Sequence, residues 1–324
     1  MSEAEPVRTL GLLMVEGFAL MSYASIVEPF RAANVLAGRT LYRWIHVSVD
    51  GKPVRASNGA SVAADQAVGA PLACDTLFVF AAAEALTFRD STTLAWLRDL
   101  ARRGATLAGV SGGPFLLARA GLLDGHRATI HWDHRPAFVQ TFPDLTVEPS
   151  LYVIDRRRVT CAGGVSGLDL AAELIEREQG HDLATQVGDW FIRPEIRAAD
   201  QSQRASLRDR YGVANDKVLK TLARMEASVE EPEPRAELAR LAGVSLRQLE
   251  RLFQLHLGES LGDAYRRIRL DQAAELLRKT SLPVTDVALA CGFKSSSHFS
   301  RAFRARFGAA PVRATGRRGP RAAS

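Results

Sequence analysis

The chain has 324 residues, of which 47% are apolar and 24% charged, and its formal net charge is +6. That length predicts about two domains. The three cysteines, Cys74, Cys161 and Cys291, are too few and too scattered for a disulfide framework or a metal site. An acidic N-terminus and the lack of a long apolar run argue against a signal peptide and a membrane span. We expect a cytoplasmic protein without metal or cofactor.

Charge is divided unevenly along the chain. From Gln201 to the end there are 23 lysines and arginines against 13 acidic residues, whereas residues 1–200 hold 19 against 23. A basic C-terminal third on an acidic body is typical of a protein that binds a polyanion. Binding to a membrane surface is the competing interpretation, but the chain has no long basic amphipathic helix with aromatic anchors.

The first two hundred residues alternate apolar runs of strand length with amphipathic stretches of helix length. Strands are predicted at 8–15, 44–49, 76–80, 105–110 and 159–162. Helices are predicted at 21–37, 92–103, 167–178 and 182–192, with a turn or kink at Pro29. Asn58-Gly59 predicts a turn between short extended pieces at Val54 and Val62. This alternation predicts an α/β sheet with helices on both faces.

The most informative segment of this region is TLAGVSGGPFLLARAGLLDGHRATIHW, residues 106–132. Its strand runs into Ser111, Gly112, Gly113 and Pro114, whose small side chains permit a sharp strand-to-helix turn that raises Ser111 above the sheet. Such sheets bind ligands at the carboxyl ends of their strands. We expect the N–H groups of Gly112 and Gly113, with the Ser111 hydroxyl, to bind a carboxylate.

Other residues are candidates for binding a cationic group of the same ligand. Trp132 or Phe18 has an aromatic face that attracts a quaternary ammonium or guanidinium, by up to roughly 2 kcal/mol when desolvated. Glu84 or Glu28 has a carboxylate that pairs with a cation, and His131 is a candidate base near Ser111. Each has a plainer alternative: Trp132 as core, Glu28 as a surface residue and His131 as a structural histidine.

The chain becomes polar after Pro194, and we place a linker there. The predicted domains are an α/β sensing and dimerisation domain at 1–195, a linker at 196–215, an all-α domain at 216–312 and a disordered basic tail at 313–324. A helix predicted at 219–229 leads into the second domain, and EEPEP at 230–234 ends it.

Residues 287–308, VALACGFKSSSHFSRAFRARFG, predict a helix, a tight turn and a second helix. Gly292 ends the first helix, and Ser295 or Ser296 caps the second. Four residues recur at helical spacing and are expected to face a core: Phe299, Ala302, Phe303 and Phe307. The opposite face is polar and cationic, as a helix in the major groove requires: Ser296, Ser297, Ser300, Arg301 and Arg304, with His298 at its edge.

The same pattern occurs upstream, in LARLAGVSLRQLERLFQLHLG at 238–258. Gly243 and Gly292 are 49 residues apart, and one extra residue in the second turn makes the offset 50, which pairs Arg251 with Arg301. A helix predicted at 263–279 joins the two copies. Two helix-turn-helix units on one stiff helix would present recognition helices to successive major-groove turns, roughly 34 Å apart.

This region resembles the AraC/XylS family of transcription activators. The resemblance is carried by AGVSLRQLERLF, RIRLDQAAELL and ACGFKSSSHFSRAFRARFG. It implies base-facing residues in both units, namely Arg247, Glu250 and Arg251 in the first and Ser296, Ser297, Ser300 and Arg301 in the second. His298 and Arg304 are expected to contact the DNA backbone. The alternative is a helical bundle whose arginines form a solvated surface.

The first domain resembles the PfpI-like, class I glutamine-amidotransferase-like superfamily, through residues 106–132, ASIVEPFRAAN and CAGGVSGLDLAAELI. The whole chain is similar to GlxA-type regulators, including those of arginine, glycine betaine and carnitine catabolism. The resemblance implies a flavodoxin-like sandwich. Enzymes of that superfamily have a cysteine at the elbow and an acid on the first helix, whereas Ser111, Ala19 and Ser22 stand there in this chain.

The sequence therefore predicts a transcription regulator, expected to be an activator, and not an enzyme. Its expected partners are double-stranded promoter DNA, an amino-acid-like or quaternary-ammonium effector, RNA polymerase and a second copy of the chain, with no membrane. The predicted effector site comprises Ser111, Gly112, Gly113, His131 and Trp132. Two alternatives remain: a hydrolase or lyase that uses Ser111, and an architectural DNA-binding protein with an empty first domain.

Overall fold

The structure is a computed structural model that describes residues 6–193, 195–279 and 282–312. The chain divides into two compact units, one that ends at Gln203 and one that begins at Arg204. This division falls inside the stretch 196–215 that the sequence predicts as a linker. The predicted tail, 313–324, lies outside the described residues.

The first unit is built on a seven-stranded sheet with the strand order β10-β11-β7-β6-β1-β2-β5. Neighbouring strands in it are parallel except for β10, which runs antiparallel to β11 at one edge. Two short pairs, β3 with β4 and β8 with β9, lie outside it. The strands are β1 Arg8–Met14, β2 Tyr42–Ser48, β3 Val54–Arg55, β4 Ser61–Val62, β5 Gln66–Ala67, β6 Thr76–Ala81, β7 Thr106–Ser111, β8 Arg127–Ala128, β9 Thr146–Val147, β10 Tyr152–Asp155 and β11 Arg158–Cys161.

Helices cover both faces of this sheet, as the alternating pattern predicts. Residues of α1, α5 and α6 belong to one hydrophobic core with Phe78 and Phe80 of β6, and residues of α2, α3 and α4 belong to another with Leu77 and Val79. Central strands are apolar on both faces because each face is covered. The helices are α1 Leu20–Ala37, α2 Ser91–Arg102, α3 Pro114–Arg119, α4 Arg135–Thr141, α5 Ser166–Gln179 and α6 His181–Trp190.

Some local features differ from the sequence prediction. Of the turn or kink expected at Pro29, the turn is wrong, because α1 continues through this buried proline while packed against α5. Helix α4 and strand β10 were not predicted from the sequence. The Asn58-Gly59 turn is confirmed between β3 and β4.

The second unit is helical and has two hydrophobic cores. Helices α8, α9 and α10 pack with the first half of α11 around one core, and α12 and α13 pack with its second half around the other. Thus Ile268 belongs to the first core and Leu270 to the second, so that one helix supports both helix-turn-helix units. The helices are α7 Leu207–Tyr211, α8 Asp216–Ala227, α9 Arg235–Ala242, α10 Leu246–Leu257, α11 Leu261–Lys279, α12 Val284–Ala290 and α13 Ser296–Phe307.

The predicted core face of α13 is mostly confirmed. Phe299 and Phe303 are buried and Ala302 is half-buried. Phe307 was expected in the core, but 40% of it is exposed because it is the last residue of the helix and packs mainly on Phe303, with ring centroids 4.5 Å apart. Among the described residues, no helix combines the length and apolarity that crossing a bilayer demands.

Candidate nucleic-acid interface and elbow site

Helix α10 is the recognition helix of the first helix-turn-helix unit. Ser245 caps it by accepting the Gln248 N–H at 3.3 Å, and the Gln248 side chain accepts the Ser245 N–H at 3.0 Å, which completes a capping box. Leu249 faces the core, which turns Arg247 and Arg251 outward. Neither arginine pairs with a carboxylate of any described residue, so both guanidinium groups are available to DNA.

Glu250 does not have the base-facing role that the resemblance implied. Its carboxylate accepts the Leu261 N–H at 3.0 Å and the Arg235 guanidinium at 3.3 Å, and only 30% of its side chain is exposed. The carboxylate thus satisfies an N-terminal N–H group of α11, where negative charge is stabilising. Glu250 fixes α11 against α10 and is engaged within the fold.

Helix α13 is the recognition helix of the second unit. Ser295 caps it by accepting the His298 N–H at 3.4 Å, which confirms one of the two predicted caps. Its polar face carries short side chains toward the N-terminus and arginines further along. The exposed members are Ser296, Ser297, His298, Arg301 and Arg304, and Ser300 is half-buried. Arg301 and Arg304, like Arg247 and Arg251, pair with no carboxylate in the described part of the chain.

Helix α11 holds the two recognition helices in one frame. On the side of the first helix-turn-helix unit, the Tyr265 hydroxyl donates to the Ser228 carbonyl at 2.8 Å. Toward the second, the Arg269 guanidinium donates to the Cys291 carbonyl at 2.8 Å and lies 4.1 Å from the centroid of the Phe293 ring. Burial lowers the pKa of Arg269 from its usual value. These contacts position α10 and α13 through a shared helix.

The turn glycine of the second helix-turn-helix unit packs directly against the loop that precedes the first helix-turn-helix unit. Gly292 has a φ of +71°, and a Cβ there would lie 2.6 Å from the Pro232 ring and 2.7 Å from the Val229 carbonyl oxygen. Gly243, its equivalent in the repeat, has a φ of +67° with nothing within 4 Å of a Cβ. Both positions require glycine for its left-handed conformation, but only Gly292 also requires it for close packing.

The elbow of the N-terminal compact unit forms where β7 meets α3. Ser111 adopts a φ of +60°, which is uncommon for a residue with a side chain, and is 6% exposed. The expectation that Gly112 and Gly113 donate to a carboxylate is wrong, because their N–H groups donate to the carbonyls of Ala81 and Val110, at 2.8 and 2.9 Å. The turn is too tight to leave these groups free for a ligand.

Small side chains surround Ser111. A Cβ at Gly163 would lie 2.7 Å from both the Ser111 Cβ and the Ser22 Oγ, so these residues converge. Ser22 accepts the Gly164 N–H at 2.7 Å. The Ser111 hydroxyl makes no hydrogen bond to any described residue, so no acid or base is hydrogen-bonded to it there. Gly163 was not predicted, although the GG pair before α5 is a visible signal of close backbone approach.

His131 and Trp132 follow the elbow in space as well as in sequence. The His131 backbone N–H donates to the Ser111 carbonyl at 3.5 Å. The ring centroids of His131 and Trp132 are 5.5 Å apart. Both side chains are half-buried. The Trp132 N–H donates to the Gln203 side-chain carbonyl at 2.6 Å, so the last residue of the unit is fastened beside the elbow. No sequence signal marked Gln203.

The candidate partners for a cation differ in position. Glu28 pairs with Arg31 at 2.7 Å, as expected of a surface residue. Glu84 lies just after β6, and its carboxylate lies within 2.5 Å of the point that a Cβ at Gly17 would occupy, at the carboxyl edge of the sheet. Phe18 is fully buried, so its predicted contact with a cation is wrong. We define the elbow site as Ser111, His131, Trp132 and Glu84.

Comparison with known proteins places both units in established families. Residues 12–177 match the DJ-1/PfpI family, and residues 238–316 match a helix-turn-helix domain family. The chain is 46% identical over 299 residues to the HTH-type transcriptional regulator CdhR of Pseudomonas aeruginosa, covering 92% of this chain and 89% of that protein. It is 42% identical over 311 residues to the HTH-type transcriptional regulator GlxA of Rhizobium meliloti, covering 96% of both.

A solved structure shows the fold of the first unit independently. The crystal structure of a ThiJ/PfpI family protein from Pseudomonas syringae superposes with a TM-score of 0.52 at 20% identity, covering 73% of this chain and 89% of that protein. With the family matches, this confirms the predicted α/β flavodoxin-like architecture followed by a helical helix-turn-helix region.

Proposed function

The chain belongs to the DNA-binding transcriptional regulators that join a DJ-1/PfpI domain to an AraC-type helix-turn-helix domain, and we propose that it activates transcription in response to a small metabolite. Like its relatives, which are named transcriptional regulators, it is a regulator and not an enzyme. We further propose that it acts in the cytoplasm as a homodimer and recruits RNA polymerase. The proposed domains are 1–195 for sensing and 216–312 for DNA binding, with 196–215 between them.

One observation carries the DNA-binding part of the proposal. Arg251 and Arg301 occupy equivalent positions of α10 and α13, both are exposed, and neither pairs with a carboxylate of a described residue. Arginine is the side chain best suited to bind guanine through its two major-groove acceptors. We assign base reading to Arg247, Arg251, Arg301 and three serines of α13, and backbone contact to His298 and Arg304. The serines are Ser296, Ser297 and Ser300.

The effector part of the proposal rests on the elbow site. Ser111 is 6% exposed, and its hydroxyl, which makes no hydrogen bond to a described residue, is open to a hydrogen-bond partner. A polar ligand would supply that partner. The Glu84 carboxylate and the Trp132 ring would favour a cationic or quaternary-ammonium group on the same ligand. We therefore propose an amino-acid-like or betaine-like zwitterion as the effector.

The effector proposal is tested by thermal shift of the full chain in a screen of amino acids, betaines and methylated amines. A ligand that binds only the folded protein at a hundred times its Kd stabilises it by about 2.7 kcal/mol. We expect a zwitterion to raise the melting temperature of the wild type, and the increase to shrink in Ser111→Ala and Glu84→Gln. Asp124→Asn, which changes an exposed carboxylate elsewhere, is the matched control. A zwitterion response that is equal in all four proteins would contradict the elbow site.

A further inference from the structure

A cavity system lies beside the edge strand β10, which is two strands away from β7 and its elbow. Two cavities of about 370 Å³ and about 390 Å³ share Tyr152, Glu173 and Ala198 in their walls. We call them together the edge groove. Each cavity has the volume of a small-molecule pocket.

Tyr152 provides an unused polar group to this groove. It is 4% exposed, and its hydroxyl makes no hydrogen bond to any residue that the structure describes. Burial, followed by the nearby carboxylates of Glu173 and Asp169, raises the pKa of Tyr152 above its usual value. The phenol thus stays neutral at physiological pH, and its oxygen is available to accept a hydrogen bond from a ligand.

The charges of the groove are unbalanced toward carboxylates. Arg177 is already paired with Glu173 at 2.7 Å. His181 likewise lies 3.0 Å from Glu176. The exposed carboxylates of Glu195 and Asp200 pair with no cation among the described residues. Glu195 lines one cavity and Asp200 the other, so each cavity offers an incoming cation one uncompensated negative charge.

Both of these carboxylates belong to the segment that ends the first unit. We call residues 195–203 the strap. The strap is fastened at Asp169, a fully buried carboxylate that binds the Arg197 guanidinium at 2.7 Å and the Arg197 N–H at 3.0 Å. It is fastened again where the Leu151 N–H donates to the Ala199 carbonyl at 2.8 Å.

The far end of the strap is fastened by Gln203. Its side-chain amide donates to the Ser150 carbonyl at 2.7 Å and to the Ile130 carbonyl at 3.0 Å. One wall of the edge groove is consequently formed by strap residues, and the opposite wall by β10 and α5. A ligand between these walls would tie the strap to the sheet.

We propose that the edge groove binds a small organic cation with N–H donors, an amine or a guanidinium, between the Tyr152 hydroxyl and the carboxylates of Glu195 and Asp200. N–H donors are required because the phenol and the carboxylates all accept hydrogen bonds. The described residues hold no cluster of three or more metal-binding side chains, which favours an organic cation over a metal ion. Binding here is independent of the elbow site, whereas any effect on transcription rests on the proposed function.

Calorimetric titration of the full chain tests this site. The probes are agmatine and putrescine, with tetramethylammonium as a cation that lacks N–H groups. We expect agmatine or putrescine to bind at least about tenfold more tightly than tetramethylammonium, because a hydrogen bond between charged groups contributes about a factor of ten or more. Failure of both amines to bind would overturn the proposal, as would equal binding of all three cations.

Variants decide where the amine binds. Tyr152→Phe keeps the ring and Glu195→Gln keeps the shape, and each is expected to weaken amine binding about tenfold. Asp124→Asn, the matched control, and Ser111→Ala are expected to leave it unchanged. Amine binding that is lost in Ser111→Ala but kept in Tyr152→Phe would assign the amine to the elbow site, which would overturn the edge groove and leave the proposed function standing.

Hydrogen exchange gives a readout that a merely structural role of Tyr152 would not move. Saturating amine is expected to slow exchange of the Arg197 N–H and the Leu151 N–H, which fasten the strap, in the wild type and not in Glu195→Gln. Equal exchange with and without amine in the wild type would contradict the proposed position of the ligand against the strap.

Discussion

The two helix-turn-helix units share a frame but differ in what surrounds it. In both, a capped recognition helix follows a glycine in the left-handed conformation. The turn of the first unit, at Gly243, is open to solvent, whereas the turn of the second, at Gly292, packs on Pro232 of the loop before α9. The repeat in the sequence thus predicts equal turns, and the packing makes them unequal.

The recognition surfaces differ as well. Helix α10 presents two arginines, while its Gln248 and Glu250 are used to cap helices. Helix α13 presents short serines before its arginines, so its backbone is able to approach base edges more closely. The second helix-turn-helix unit therefore depends on the first for its position, and we expect the two to read DNA with different side chains.

Substitution at the turn glycines should produce the largest difference. Gly292→Ala combines a left-handed conformation that costs about 1–2 kcal/mol with overpacking against Pro232 that costs about 1–3 kcal/mol. Gly243→Ala has only the first cost. We expect hydrogen exchange of α12 and α13 peptides to accelerate strongly in Gly292→Ala, and that of α9 and α10 to accelerate modestly in Gly243→Ala.

The N-terminal compact unit, which ends at Gln203, provides an internal control for that experiment. All four tryptophans, Trp44, Trp96, Trp132 and Trp190, precede Arg204. Their fluorescence therefore reports unfolding of the first unit, and we expect it to be unchanged in both variants. Equal destabilisation by the two substitutions would show that the contact between Gly292 and Pro232 contributes nothing.

Removal of the equivalent arginines should have an intermediate effect. Arg251→Ala and Arg301→Ala are each expected to weaken specific DNA binding by about 1–3 kcal/mol and to relax one base preference, at different positions of the operator. Fluorescence anisotropy with a selected duplex and with its single-base variants measures both quantities. Arg240→Ala, which removes an exposed arginine paired with Glu237 on α9, is the matched control and should bind normally.

Removal of the caps should have the smallest effect. Ser245→Ala and Ser295→Ala each remove a side-chain acceptor at a helix N-terminus, at a cost of about 1 kcal/mol. Ser245→Ala should cost more, because it also breaks the capping box with Gln248. Exchange of the amides in the first turns of α10 and α13 measures the difference, and a larger effect at Ser295 would contradict this ranking.

The sequence predicts the architecture better than it predicts the contacts. Apolar runs and the repeated Ala-Gly turn are local signals, so the central strands, α5 and both recognition helices lie where they are expected. The Glu250 carboxylate binds both the Arg235 guanidinium and the first N–H of α11. These two partners lie in different helices, so no local sequence pattern predicts the contact. Gly112 and Gly113 resemble an anion site in sequence, but β6 supplies a carbonyl that the sequence pattern does not reveal. Within the part of the chain that the structure describes, the Gln203 side chain hydrogen-bonds to residues at least 53 positions away.

The most direct test of the central claim is footprinting of the full chain on a duplex selected for specific binding from a random pool. We expect the wild type to protect two major-groove segments on one face, roughly 34 Å apart. We also expect Arg251→Ala and Arg301→Ala each to lose protection at a different one of them. Protection of a single segment, or loss of the same segment in both variants, would contradict the claim that α10 and α13 bind one duplex together.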